Sequence, residues 1–160
     1  MNDLQFAIKM ERDGEKFYRE QAELNKGNVL YKVCTMLADD EKKHAKLFEN
    51  KMNSLPCEIL PSAISDTKTI FEGLGDLKIE EKSQLSQLDF YRIAGDLEKE
   101  SIALYTKYLN NSNDDESKEI YKYLIGQEQL HSDTIEALVE ALRHAEEWIE
   151  NARFGIRPEY

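Results

Sequence analysis

The sequence is poor in residues that bend a chain or staple it. Its 160 residues include only seven glycines and three prolines. A β-rich fold needs frequent turns, so this scarcity favours long helices instead. The two cysteines, Cys34 and Cys57, form no C-x-x-C pair. That argues against a disulfide framework, a zinc site and a rubredoxin-type iron site. Cys34 reads as a small core residue. No apolar run approaches the length of a bilayer crossing, and Met1 to Lys9 contain no basic stretch followed by an apolar one. A soluble cytoplasmic protein is expected. Positive charge is also scarce: 21 Lys and Arg face 32 Asp and Glu, for a net charge of -11. Such a chain repels nucleic acid and anionic membranes, so neither is expected as a partner.

What is present is helix-forming. Hydrophobic residues make up 41% of the chain and charged residues 33%, a balance that suits one domain of surface-charged helices around one core. Four segments carry helical periodicity. The first runs from about Leu4 to Leu24, with Phe6, Met10, Phe17 and Ala22 among its apolar positions, and Gly27 is available for a left-handed cap beyond it. The second runs from about Val29 to Met52, with Leu30, Val33, Leu37, Leu47 and Phe48 in its stripe. The third runs from about Ser86 to Leu109, where Ser86 and Asp89 have the spacing of a capping box. The fourth runs from about Asp114 to Trp148, after the turn signal Asn110-Asn111-Ser112-Asn113.

Two short connections imply two antiparallel hairpins. The link between them, about Asn53 to Leu85, is long enough to run the height of a bundle, with a short helix expected over Asp66 to Glu72. The expected fold is therefore all-α, a ferritin-like four-helix bundle with a long crossover. Residues 1–150 form the bundle in this reading, and 151–160 form a tail packed on it or on a second subunit.

The chain also repeats itself. A shift of 87 positions lays Ala7 on Ala94, Glu11 on Glu98, Tyr18 on Tyr105, Leu37 on Leu124, Glu41 on Glu128 and His44 on His131. Glu11 to Glu41 spans 30 residues, as does Glu98 to Glu128. A lone Glu-x-x-His in an acidic helical protein usually has no function. Here two of the three histidines sit in that motif, at matched distances from matched Glu-x6-Tyr segments. His144 has no such twin and reads as structural or exposed.

Residues three apart share a helix face, so Glu41 with His44, and Glu128 with His131, can each present a carboxylate and an imidazole to one ion. Glu11 and Glu98 add a carboxylate each from the other two helices. This is the ligand set of di-iron carboxylate bundles. Oxygen and imidazole donors without thiolate suit iron or manganese, with zinc as a substitute. Charge agrees: four buried carboxylates carry -4, and two divalent cations balance it. Tyr18 and Tyr105 lie two turns from Glu11 and Glu98, where each hydroxyl could reach the carboxylate of the other helix. Asp40 and Gln127 precede the two motifs, where each could accept a hydrogen bond from the opposite imidazole.

These stretches resemble the rubrerythrin branch of the ferritin-like family. The matching segments are Ala7 to Glu11 through Phe17-Tyr18, Leu37 to His44, Leu97 to Ser101 through Tyr105, and Glu128 to His131. The resemblance covers about Asn2 to Glu147. It implies a non-haem di-iron oxidoreductase that reduces peroxide or dioxygen under oxidative stress, acting as a homodimer. Two departures stand out. Rubrerythrins carry a further Glu three residues after the third-helix ligand, toward which an iron moves on reduction, and here that position is Ser101. They also carry a rubredoxin domain, which this sequence lacks, so a separate rubredoxin-like or flavin-bearing donor protein is expected. Bacterioferritin has a similar ligand set, with haem held by a Met just after the second-helix Glu. Lys42 stands there in this chain, so no haem is expected. Two other readings compete: ferrous-iron oxidation for storage or detoxification, and a non-enzymatic bundle stapled by metal.

Overall fold

The computed structural model describes residues 1–27, 29–64 and 84–153. These contain four helices and no strand: α1 Asp3–Leu24, α2 Val29–Met52, α3 Gln84–Asn111 and α4 Asp115–Arg153. None of them is long and apolar enough to cross a membrane.

Local chemistry sets the ends. Asn2 caps α1 by a reciprocal pair: its side chain accepts from the Gln5 N–H at 2.8 Å, and the Gln5 side chain accepts from the Asn2 N–H at 3.0 Å. Gly27, with φ 91°, turns the chain between α1 and α2. Past α2, Ser54 takes φ 54° while the Leu55 and Ser54 amides bond back to the Asn50 and Lys51 carbonyls, which is a Schellman closure. The Asp114 carboxylate accepts from the Ser117 N–H at 2.9 Å and starts α4, whose first turn carries Asp115 and Glu116.

The pairing across helices gives the topology. Arg12 meets Glu49 and Arg19 meets Asp39, so α1 and α2 run antiparallel. Tyr18 meets Glu98 and Tyr105 meets Glu11, so α1 and α3 are antiparallel too. His44 meets Glu128 and His131 meets Glu41, which makes α2 and α4 antiparallel. It follows that α2 and α3 point the same way. The start of α3 therefore lies at the opposite end of the bundle from the close of α2, roughly 36 Å away for a helix as long as α2.

Two apolar layers form the core. One holds Tyr18, Leu30, Leu37, Phe90 and Leu138, and the other Ala7, Phe48, Tyr105, Tyr121 and Leu124. The repeat exchanges them, since it carries Tyr18 to Tyr105 and Leu37 to Leu124. The buried face of α1 is Ala7, Glu11, Gly14, Tyr18 and Ala22. Phe6 is 49% exposed, so the inner stripe sits one position from the large apolar residue and is built from small side chains around Glu11. Helix α3 begins before Ser86, which lies within its first turn and not at its cap. Helix α4 continues through Asn151 to Arg153, into the segment expected to be tail. Asp66 to Glu72, and 154–160, lie outside the described residues.

Candidate metal centre

Between the two apolar layers lies a polar one. Glu11, Glu41, His44, Glu98, Glu128 and His131 are all buried, and none is more than 4% exposed. Each arrives there through helix register: α1 and α3 bring one carboxylate each, and α2 and α4 bring a carboxylate and an imidazole three residues apart.

The arrangement has twofold symmetry. His44 Nδ1 lies 3.1 Å from Glu128 Oε1, and His131 Nδ1 lies 3.1 Å from Glu41 Oε1. His44 Nδ1 is 3.5 Å from Glu11 Oε2, and His131 Nδ1 is 3.5 Å from Glu98 Oε2. The two rings lie nearly parallel, with centroids 5.8 Å apart and planes at 21°. Tyr18 donates to Glu98 Oε1, and Tyr105 donates to Glu11 Oε1. Burial and the neighbouring carboxylates raise both phenols well above their ordinary pKa, so they remain donors.

Behind the ring the halves differ. His131 Nε2 lies 2.9 Å from Asp40 Oδ2, whereas His44 Nε2 lies 3.4 Å from Gln127 Oε1. Asp40 is fixed from the other side as well, because the Ala63 N–H donates to Oδ1 at 2.7 Å and the Ser62 hydroxyl donates to Oδ2. Burial alone would raise the Asp40 pKa. Hydrogen bonds from His131, Ala63 and Ser62 more than offset it and hold the carboxylate below its usual range. In both imidazoles the outer nitrogen faces an acceptor, which leaves Nδ1 to face the carboxylates.

Gly14 is the close approach in the site. A Cβ there would sit 3.3 Å from Glu41 Oε2. Its twin is Ser101, whose hydroxyl turns back to the Leu97 carbonyl at 3.0 Å. Sequence reasoning did not find Gly14, Ser62 or Ala63. Gly14 was legible only as the glycine paired with Ser101 by the repeat, and the other two act through a contact that no local pattern announces. His144 is 74% exposed on α4, near Glu140, and lies apart from the cluster. Cys34 is buried in the core, and burial pushes its thiol up to about 12.

Among the described residues, two groups of side chains are able to hold a metal ion. One is Glu11, Glu41, His44 and Glu128, and the other is Glu41, Glu98, Glu128 and His131, each with ligand atoms within 4.8 Å of one another. They share Glu41 and Glu128. The donor set fits such ions on a second count. Glu11 Oε2, Glu98 Oε2 and Glu128 Oε2 are buried without a hydrogen-bond donor, a costly arrangement that a cation relieves. Carboxylate and imidazole are also the donors that iron and manganese accept.

No curated protein and no solved structure matches the chain. The sequence model of the Rubrerythrin family matches residues 2–139. That span takes in the whole of α1, α2 and α3, most of α4 and every residue of the buried ring, so the chain belongs to the rubrerythrin family.

Proposed function

We propose that the chain is a non-haem di-iron oxidoreductase of rubrerythrin type, reducing peroxide or dioxygen with electrons from a separate donor protein. The observation that carries this reading is the shared pair, Glu41 and Glu128, which belongs to both groups of candidate ligands. In this assignment Glu41 and Glu128 would serve both of two ions, Glu11 and His44 would complete the ligands of one, and Glu98 and His131 would complete those of the other.

When bound, a pair of ferrous ions would supply one electron each, the two electrons that reduction of a peroxide to water, or of dioxygen to peroxide, requires. The chain's own residues set the conditions for that chemistry. Each imidazole keeps its proton on Nε2, directed at Asp40 or Gln127, and so offers Nδ1 as a ligand. Tyr18 and Tyr105 hold Glu98 and Glu11 by one oxygen and leave the other free for metal. The apolar layers above and below keep bulk water from the carboxylates. The donor set accepts manganese or zinc as well as iron. The same reading places the protein in the cytoplasm as a homodimer without haem.

Ser101 favours a second reading. A typical rubrerythrin has a carboxylate at this position, and the Ser101 hydroxyl is turned to the backbone instead. Ferrous iron could then be the substrate, oxidised for storage or detoxification. Mass in solution separates the two, because a storage cage needs many subunits.

The deciding experiment is anaerobic titration with ferrous ion. Binding should saturate near two equivalents, and His44→Ala and His131→Ala should each lose one. Saturation at one equivalent in the unaltered chain, or full binding by either variant, would overturn the assignment.

A further inference from the structure

The outer face of α2, behind the candidate ligands, gathers lysines in a chain that is acidic overall. Lys42, Lys43 and Lys46 line a groove of about 220 Å³, with Leu60 from the following segment and Glu58 as its one acidic residue. Lys43 leans on buried Asp40 at 3.6 Å. Lys42 and Lys46 make no ion pair among the described residues, although acidic residues outnumber basic ones across the chain.

The repeat supplies an internal control. The positions equivalent to Lys42, Lys43 and Lys46 are Gln129, Leu130 and Asp133. The basic character therefore belongs to one half alone, and the twofold ligand ring does not require it.

An aromatic side chain from α4 joins this groove to His44, and the repeat does not duplicate it. Tyr123 donates its hydroxyl to the carbonyl of Leu60, in the groove wall. Its ring meets His44 edge-on, with centroids 6.4 Å apart and planes at 85°. The equivalent of Tyr123 is Met36. A continuous set of contacts thus runs from the groove through Leu60 and Tyr123 to His44, and among the described residues no Phe, Tyr or Trp ring meets His131 in the same way.

We propose that this groove is the docking site of an acidic one-electron carrier protein, and that Tyr123 couples the docked carrier to His44. The inference rests on the oxidoreductase reading above. In each encounter the carrier is oxidised by one electron and one ferric ion of the pair becomes ferrous, so two encounters re-reduce the site. The lysines steer the carrier by charge. Leu60 gives it an apolar footing. Tyr123 remains a closed-shell bridge and is neither oxidised nor reduced.

The test uses the full chain in two stages. First, the isotopically labelled protein is titrated at low salt with an acidic rubredoxin whose iron has been replaced by zinc, and NMR shifts are followed. Shifts should centre on Lys42, Lys43, Lys46 and Leu60. Affinity should fall with salt, and Lys42→Glu with Lys46→Glu should weaken it by about tenfold or more. Second, reduced iron rubredoxin is mixed with the oxidised, iron-loaded protein. Tyr123→Leu should slow electron arrival by about tenfold, with the binding titration unchanged, and Tyr123→Phe should restore the rate.

Absence of binding, shifts centred elsewhere, or insensitivity to the two lysine changes would overturn the docking face. An unchanged rate in Tyr123→Leu would overturn the coupling role. Stage one needs no metal in the chain, so a failure of the di-iron assignment would show in the ferrous titration and leave the docking result standing on its own.

Discussion

Removing metal tests the charge arithmetic of the buried ring. Burial, together with the charge of Glu128 and against the pull of His131, pushes the Glu98 carboxyl from 4.5 up to about 8. Burial and the charges of Glu11 and Glu128 raise Glu41 well above its ordinary value. Burial would lower both imidazoles, but the surrounding carboxylates raise them well above theirs. Glu128 goes the other way: burial would raise it, and hydrogen bonds to Glu98, His131 and His44 hold it well below. The metal-free ring is thus held together by protons shared among its members. Glu98 keeps its proton up to about pH 8 when folded and only to about 4.5 when unfolded. Across that window the folded state holds more protons, so stability falls as pH rises. One such group is worth about 5 kcal/mol over the window, at about 1.4 kcal/mol per unit, which is comparable to the whole stability of a small domain. The histidines act with the same sign, their contribution being lost as pH rises through their raised values. Glu128 acts with the opposite sign, losing its contribution as pH falls below 4.5. Metal-free protein should therefore melt highest at mildly acidic pH and progressively lower toward alkaline pH. Zinc-loaded protein should lack that loss, because ions take the place of protons. Thermal melts of both forms from about pH 5 to about pH 9 measure the difference. The exposed charges of this net-acidic chain act on both forms alike, so parallel profiles would refute the shared buried site.

Three further outcomes follow from particular contacts. Gly14→Ala should strengthen α1 by up to about 1 kcal/mol in the metal-free form, yet crowd Glu41 Oε2, which lies 3.3 Å from the added carbon. Chelator competition should show affinity lower by about tenfold, and unchanged affinity would mean that Glu41 has room to give. Asp40→Asn keeps an acceptor for the Ala63 N–H but removes the charge facing His131 Nε2. It should cost between about tenfold and a hundredfold in metal affinity, against a smaller loss for Gln127→Ala with its 3.4 Å contact. Ser101→Glu restores a carboxylate one turn beyond Glu98, and steady-state assay should find peroxidase turnover raised. A fall at intact metal content would mean the site is organised differently from typical rubrerythrins.

Much of the bundle could be read from sequence because helix signals are local. The bounds of α2, Val29–Met52, coincide with its apolar stripe. The candidate ligands were legible for a related reason: a spacing of three fixes a common face, and the repeat fixes which faces meet. Errors arose where two local rules compete. Ser86 and Asp89 match a capping box, but the same spacing occurs by chance within a helix, and α3 starts ahead of it. Phe6 is the larger apolar residue, yet Ala7 faces inward, because the inner face of α1 must leave space for Glu11 and for Glu41 beside Gly14. The Asp40 clamp joins residues 22 and 23 positions apart through a segment without periodicity, so only tertiary structure reveals it.

The differences between the two halves are not scattered at random. Glu11 matches Glu98, Glu41 matches Glu128, and His44 matches His131, whereas Gly14 faces Ser101, Asp40 faces Gln127, Met36 faces Tyr123 and Lys42 faces Gln129. Every pair in the ring is identical, and each of these unlike pairs lies outside it. Geometry accounts for the division. Glu41 and Glu128 each belong to both groups of candidate ligands, so a change in one alters both positions at once. Asp40 and Tyr123, outside the ring, each contact one imidazole: Asp40 faces His131 Nε2, and the Tyr123 ring packs against His44. Such residues are free to make the two sides unequal without dismantling either. The consequence is a symmetric ring of candidate ligands with one-sided surroundings, in which the His131 side is anchored by buried Asp40 and the His44 side is joined through Tyr123 and Leu60 to the lysine groove.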